Sequence, residues 1–253
     1  GTTGCRMHLE VKAHFQEEAI FYHQDPKAHR DPGTSKVREV MMGDIVETRE
    51  NEVMLSLKIL AHAPLERVEI RNGSEVCSIH RPFDASDLGS RFRVIWSGAE
   101  YRGRGRQTSW KGRADFRHCR ILKMKKINAW NHEKRLQTCG TKSVEWDAVT
   151  TGNFGGFDVW VEEGDDAELD LASNHGSLRI PLNQIDLEDH VLDAGGLERQ
   201  IRVFRLPEIN PHREIEHHLQ IPLKPNQDNP LWVCVTTEDG FQAWSSPIFV
   251  IPS

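Results

Sequence analysis

The sequence predicts an all-β protein built as one or two closely joined antiparallel β-sandwiches with few or no helices, and three observations carry that prediction. Apolar residues fall on every second position at 6–12 and again at 53–60, the period of a half-buried strand. Turn and breaker residues recur at short intervals between such stretches. No long segment keeps the spacing of an amphipathic helix. Packing sheet on sheet buries one face of every such strand, so it is the architecture these patterns favour.

Taken in chain order, the first strand is expected at 6–12, where Met7, Leu9 and Val11 share a face. Residues 15–40 are read as an exposed loop, because Glu17-Glu18 and the run Asp25-Pro26 to Pro32-Gly33 are polar and rich in breakers. Residues 53–60 alternate again and stop at Ala63-Pro64. Residues 65–71 and 75–79 form a hairpin, with Asn72-Gly73 supplying the positive φ of a tight turn. Further strands are expected at 92–96, 119–127, 143–149, 157–161, 167–172, 176–181, 200–206, 214–223, 231–237 and 243–250. The whole of 1–253 reads as one continuous β-rich region, with 127–142 the single stretch polar enough for a weak subdivision.

Composition bounds the function. With 38% hydrophobic and 28% charged residues and a formal net charge of −6, the chain lacks the broad basic footprint of a nucleic-acid binder. No apolar run approaches the ~20 residues of a membrane-spanning helix, so no membrane partner is expected either. The five cysteines, Cys5, Cys77, Cys119, Cys139 and Cys234, are scattered without metal-ligand spacing and read as small buried thiols in strands.

The least ordinary stretch is Ala99 to Arg113, in which Arg102, Arg104 and Arg106 alternate with glycines between Tyr101 and Trp110. On a strand, alternate arginines would share one face and offer planar, bidentate donors to a phosphate, sulfate or carboxylate, or to a neighbouring domain. Asn153, in the Gly-rich run 150–156, is grouped with them as an anion- or domain-contacting candidate. Residues 99–135 hold twelve Lys/Arg against three Asp/Glu, while Glu162, Glu163, Asp165, Asp166, Glu168 and Asp170 follow downstream, so mutual pairing is the plain structural account. Of the tryptophans, 96, 146, 160 and 232 lie among Ile, Val and Leu and are expected in a core. Trp110 and Trp130 have polar neighbours, which keeps an independent carbohydrate- or anion-binding module as the alternative. His212, His217 and His218 cluster near Glu214 and Glu216, but adjacent strand residues point to opposite faces and make no chelate. Nucleophilic catalysis has no motif here: there is no Gly-x-Ser-x-Gly elbow and no cysteine motif with a recognisable base.

Residues 99–113, the run Thr150-Thr151-Gly152-Asn153-Phe154-Gly155-Gly156, and the ending Pro230-Leu231-Trp232-Val233 to Gln242-Ala243-Trp244-Ser245-Ser246-Pro247-Ile248 resemble the C-terminal half of a bacterial family of unassigned function. The N-terminal half of that family resembles the PHP (polymerase and histidinol phosphatase) metallohydrolases. Gly1 to Met7 is similar to the family's segment leading out of the hydrolase domain, and the His and Asp metal boxes of whole members lie upstream of it. The resemblance therefore implies a non-catalytic β-sandwich region that packs on, and helps complete the substrate cleft of, a metal-dependent hydrolase of phosphoesterase type. It implies a divalent metal in the upstream domain, none held by this chain, and an anionic small molecule as substrate. This chain alone is expected to be inactive.

Overall fold

A computed structural model describes residues 1–103, 106–129 and 135–253. The chain divides into two compact units: residues 1–82 with 211–253 form unit 1, and residues 83–210 form unit 2. The second is thus inserted between two parts of the first, where the sequence was read as one continuous region. The boundaries fall beside Pro82 and Pro211 rather than at 127–142.

Unit 1 opens with β1 (Met7–Tyr22), β2 (Thr34–Met41), β3 (Ile45–Thr48), β4 (Glu52–Ala61), β5 (Leu65–Asn72) and β6 (Glu75–His80). Unit 2 holds β7 (Leu88–Ala99), β8 (Thr108–Ile127), β9 (Leu136–Cys139), β10 (Ser143–Thr150), β11 (Gly155–Ser173), β12 (Gly176–Pro181), β13 (His190–Asp193) and β14 (Leu197–Pro207). Unit 1 resumes with β15 (Glu214–Pro222), β16 (Asn229–Thr237), β17 (Gln242–Trp244) and β18 (Ile248–Pro252). Among the described residues the helical content is two three-residue 3-10 turns, so the fold is all-β as the alternation predicted.

In unit 1 the strand order is β15-β4-β1-β3-β18-β16-β5-β6, with β2 on the other edge of β1 and β17 on β16. Residues 7–14 of β1 pair with β4 and residues 20–22 pair with β3, so this one long strand joins two layers. Ile215 of β15 and Val68 of β5, distant in strand order, share one buried cluster with Leu55, Leu57 and Val233, which requires the sheet to fold back on itself. Of the exposed loop expected at 15–40, residues 23–33 form one, and the flanking residues do not. Phe15 and Ala19 are buried, so β1 runs on to Tyr22 and β2 begins at Thr34. The polar pair Glu17-Glu18 that suggested a loop sits in a bulge between His14 and Ala19. The 65–79 hairpin forms, but Asn72 pairs with Glu75, leaving Gly73 (φ 63°) and Ser74 as the turn. Asn72 instead donates through Nδ2 to Asn229 Oδ1 (2.7 Å).

In unit 2 the order is β13-β14-β7-β11-β8-β10-β9, with β12 also on β11. The long β8–β11 ribbon belongs to both layers. Residues 155–160 of β11 pair with β7, whereas 168–173 pair with β12, and residues 108–115 of β8 pair with β10. The bend lies where the register shifts between Glu163 and Glu168, with His118 (φ 56°) and Asp166 (φ 54°) taking left-handed backbone. The separate strands expected at 157–161 and 167–172 are therefore one bent strand. Conversely, the strand expected at 243–250 is two, broken at Ser245-Ser246-Pro247, because proline cannot donate to a ladder.

Candidate functional site

Of the expected arginine ladder, Arg102 and Arg106 do not lie on a strand. β7 ends at Ala99 and β8 begins at Thr108, so Tyr101, Arg102 and Arg106 belong to the connecting loop, while Arg104 and Trp130 lie outside the described residues. Tyr101 and Arg102 are exposed. Arg106 is exposed but anchored: its Nε donates to the Thr151 carbonyl (2.7 Å), beside Gly152 at φ 98°. Thr151 N donates to Asn153 Oδ1 (2.9 Å), so Asn153 shapes its own turn. Two stretches forty-odd residues apart thus meet at one end of unit 2. The β13–β14 loop joins them, since Gly98 and Gly196 leave room for the Glu198 and Ala99 carbonyls and Arg199 pairs with Glu100.

Trp110 is not part of that surface. It is fully buried, donates Nε1 to Thr150 Oγ1 (2.8 Å) and meets His175 edge-on at 4.8 Å. Polar neighbours in sequence misled here, because Thr108, Trp110 and Ala114 share the inward face of β8 whatever stands between them. Trp96 and Trp146, expected in the core, stack within it at 5.3 Å. A cavity of about 230 Å³ lies beside this end of the unit, lined by Trp96, Ile127, Leu136, Thr150 and Gly155 among others.

The basic and acidic runs pair across the sheet, as the plain account held. Arg120 meets Glu162 (2.8 Å), Arg117 and Arg179 share Asp170, and Arg113 binds Asp115 (2.8 Å) and Glu145 (2.7 Å). The Arg179 and Arg117 guanidiniums hold the Asp170 carboxyl below the usual carboxylate range. Exposed pairs of this kind are screened by water and salt and add little to stability.

One ion cluster differs in kind. Asp158 of β11 is fully buried and accepts from Arg91 Nη2 (2.6 Å), Arg93 Nε (2.6 Å) and Arg93 Nη2 (2.9 Å), with both arginines buried as well. Burial opposes its ionisation, but the Arg93 and Arg91 guanidiniums outweigh that and hold the carboxyl below its ordinary value.

His217 of β15 stacks on His80 of β6, 4.1 Å apart and nearly parallel, linking the two end strands of the unit 1 order. Burial, and then a neighbouring imidazole, disfavours the charged form of both. Among the described residues no three His, Cys, Asp or Glu side chains gather as a metal site. No two cysteines among the described residues form a disulfide: Cys119 and Cys234 are buried as expected, whereas Cys77 is exposed on β6. Among the described residues no helix is long and apolar enough to cross a membrane. No protein-family profile, curated protein or solved structure matches the chain. What is established is therefore a class: an all-β chain of two largely antiparallel units, one inserted in the other, with β3 and β18 the parallel pair of unit 1.

Proposed function

We propose that this chain is the β-sandwich region of a PHP-like metal-dependent hydrolase of phosphoesterase type, supplying scaffold and anion recognition to a cleft whose metal-bound groups belong to an upstream domain. The observation that carries the reading is the meeting of two of the family-like stretches, 99–113 and 150–156, at one end of unit 2. Arg106 is fixed there by a backbone carbonyl, which leaves its Nη groups as donors, and Arg102, in the same connection between β7 and β8, is exposed. A guanidinium so placed is pre-organised for a phosphoryl or carboxylate group, or for an acidic edge of the hydrolase domain. The chemistry in the whole protein would be a metal-activated water attacking an ester of an anionic small molecule.

The test is hydrolysis of phosphate and sulfate esters with Mn²⁺ or Zn²⁺, by this chain and by the chain extended upstream. Metal-dependent turnover only in the extended protein, reduced when Arg102 and Arg106 are replaced by lysine, is the expected result. Metal-dependent turnover by this chain alone sinks the reading.

A further inference from the structure

The outer face of unit 1 holds an arrangement no motif announced. His14 of β1 lies between Ser56 of β4 and Glu39 of β2, one strand on either side. Ser56 Oγ is 2.8 Å from His14 Nε2, and Glu39 Oε2 is 3.3 Å from His14 Nδ1. Glu39 stands opposite His14 in the β1–β2 register, and Lys12 stands opposite Ser56 in the β1–β4 register. Lys12 Nζ binds the other Glu39 oxygen at 2.9 Å. The inward neighbours Val11, Ala13, Leu55 and Leu57 are buried, so the polar four must point outward. The His14 side chain is 35% exposed, enough for a solute to reach the Ser56–His14 pair.

We propose that Ser56, His14 and Glu39 form a nucleophile, general base and orienting carboxylate able to cleave small carboxylic esters without a metal. The requirement for such a relay is a hydroxyl within hydrogen-bond reach of an imidazole whose far nitrogen faces a third group. Glu39, placed at Nδ1, favours the tautomer that carries its proton there, which leaves Nε2 free to accept from Ser56. The hydrogen bond from Lys12 holds the Glu39 carboxyl below its ordinary range, so it is ionised at neutral pH. Ser56 Oγ attacks the ester carbonyl as its proton passes to His14 Nε2. Collapse expels the alkoxide, which takes that proton and leaves as alcohol, with the acyl group on Ser56. Water then attacks the acyl-serine, giving its proton to His14, and the serine oxygen recovers it as the carboxylic acid leaves. On an open sheet face, activated aryl esters of short acids are the substrates that fit.

The experiment treats the 253-residue chain, in EDTA, with p-nitrophenyl acetate and separately with a fluorophosphonate that phosphonylates the serine oxygen and releases fluoride. The adduct is located by peptide mass spectrometry. The expected result is an adduct on Ser56, absent in Ser56→Ala and reduced by about tenfold or more in His14→Gln, with p-nitrophenolate release falling in parallel. His190→Gln, in unit 2, controls for hydrolysis by surface imidazoles at large and should match the parent. All three positions lie outside the buried cores, and circular dichroism confirms the fold of each variant. No adduct on Ser56, or equal labelling in His14→Gln, overturns the proposal.

Discussion

Replacing Asp158 by asparagine keeps the shape of a fully buried side chain and removes its charge, leaving Arg91 and Arg93 as two buried cations with a neutral acceptor between them. Hydrogen bonds to a charged group contribute about 1.5–3 kcal/mol each, and Asp158 is bonded to both guanidiniums. A simple sum overcounts, because asparagine still accepts through one oxygen and Arg91 retains its stack on Trp160 at 5.0 Å. Breaking a buried pair from one side costs about 3–5 kcal/mol, and at ~3 °C per kcal/mol for a chain of this size the unfolding midpoint of unit 2 falls by about 10–15 °C. Differential scanning calorimetry at pH 7 reads this directly. The parent should also lose stability as pH falls through the unfolded carboxyl value of about 3.9 toward the depressed folded one, since the unfolded state takes up that proton first. Asp158→Asn should lack this component. A midpoint lowered by less than about 3 °C, which corresponds to about 1 kcal/mol, would show that the arginines are hydrated or paired elsewhere and would refute the argument.

The stacked His80 and His217 add a second loss of stability on acidification, closer to neutrality. Both imidazoles have depressed values, so the stability they contribute is present above the unfolded value of about 6.5 and is lost as pH falls below it. Urea melts at pH 7.5 and 5.5 should show a drop in the parent that a His80→Phe, His217→Phe variant lacks. Gly98→Ala places a Cβ at φ 85° against the Glu198 carbonyl, where strain of about 1–3 kcal/mol is expected. A melt unchanged from the parent would mean the β13–β14 loop moves freely. Trp110→Phe removes the bond to Thr150, worth about 1 kcal/mol, together with ring volume in a packed core. A combined loss of about 1–3 kcal/mol should appear in denaturant unfolding.

Much of the fold was legible because strand identity is a local property. Alternation at 53–60 put Val53, Leu55, Leu57 and Ile59 on one face, and all four are buried. The hairpin at 65–79 followed from a glycine that tolerates positive φ, although the turn moved one residue along. The readings that failed depended on partners distant in sequence. Glu17-Glu18 looked like loop because a bulge is recognised only beside the strand it interrupts. Trp110 looked exposed because its burial depends on β10 and His175 covering it, not on the charges flanking it in β8.

The candidate sites divide the same way. Sequence alone determined that this is an all-β chain, that its basic run at 99–135 and acidic run at 162–170 can pair, and that the stretch Arg102 to Arg106 is unusual in composition. Tertiary structure decided that Arg102 and Arg106 lie off the strands, with Arg106 tied to Thr151, and that Arg91, Arg93 and Asp158 meet in a buried cluster. It also placed Ser56, His14 and Glu39 side by side from three strands. Those residues are 17 to 42 positions apart along the chain, and only register brings them together: a one-residue slip in either strand pair would turn one partner inward. Side-chain identity is written in the sequence, but which side chains share a face is fixed by hydrogen-bonded register and by the cores that hold it.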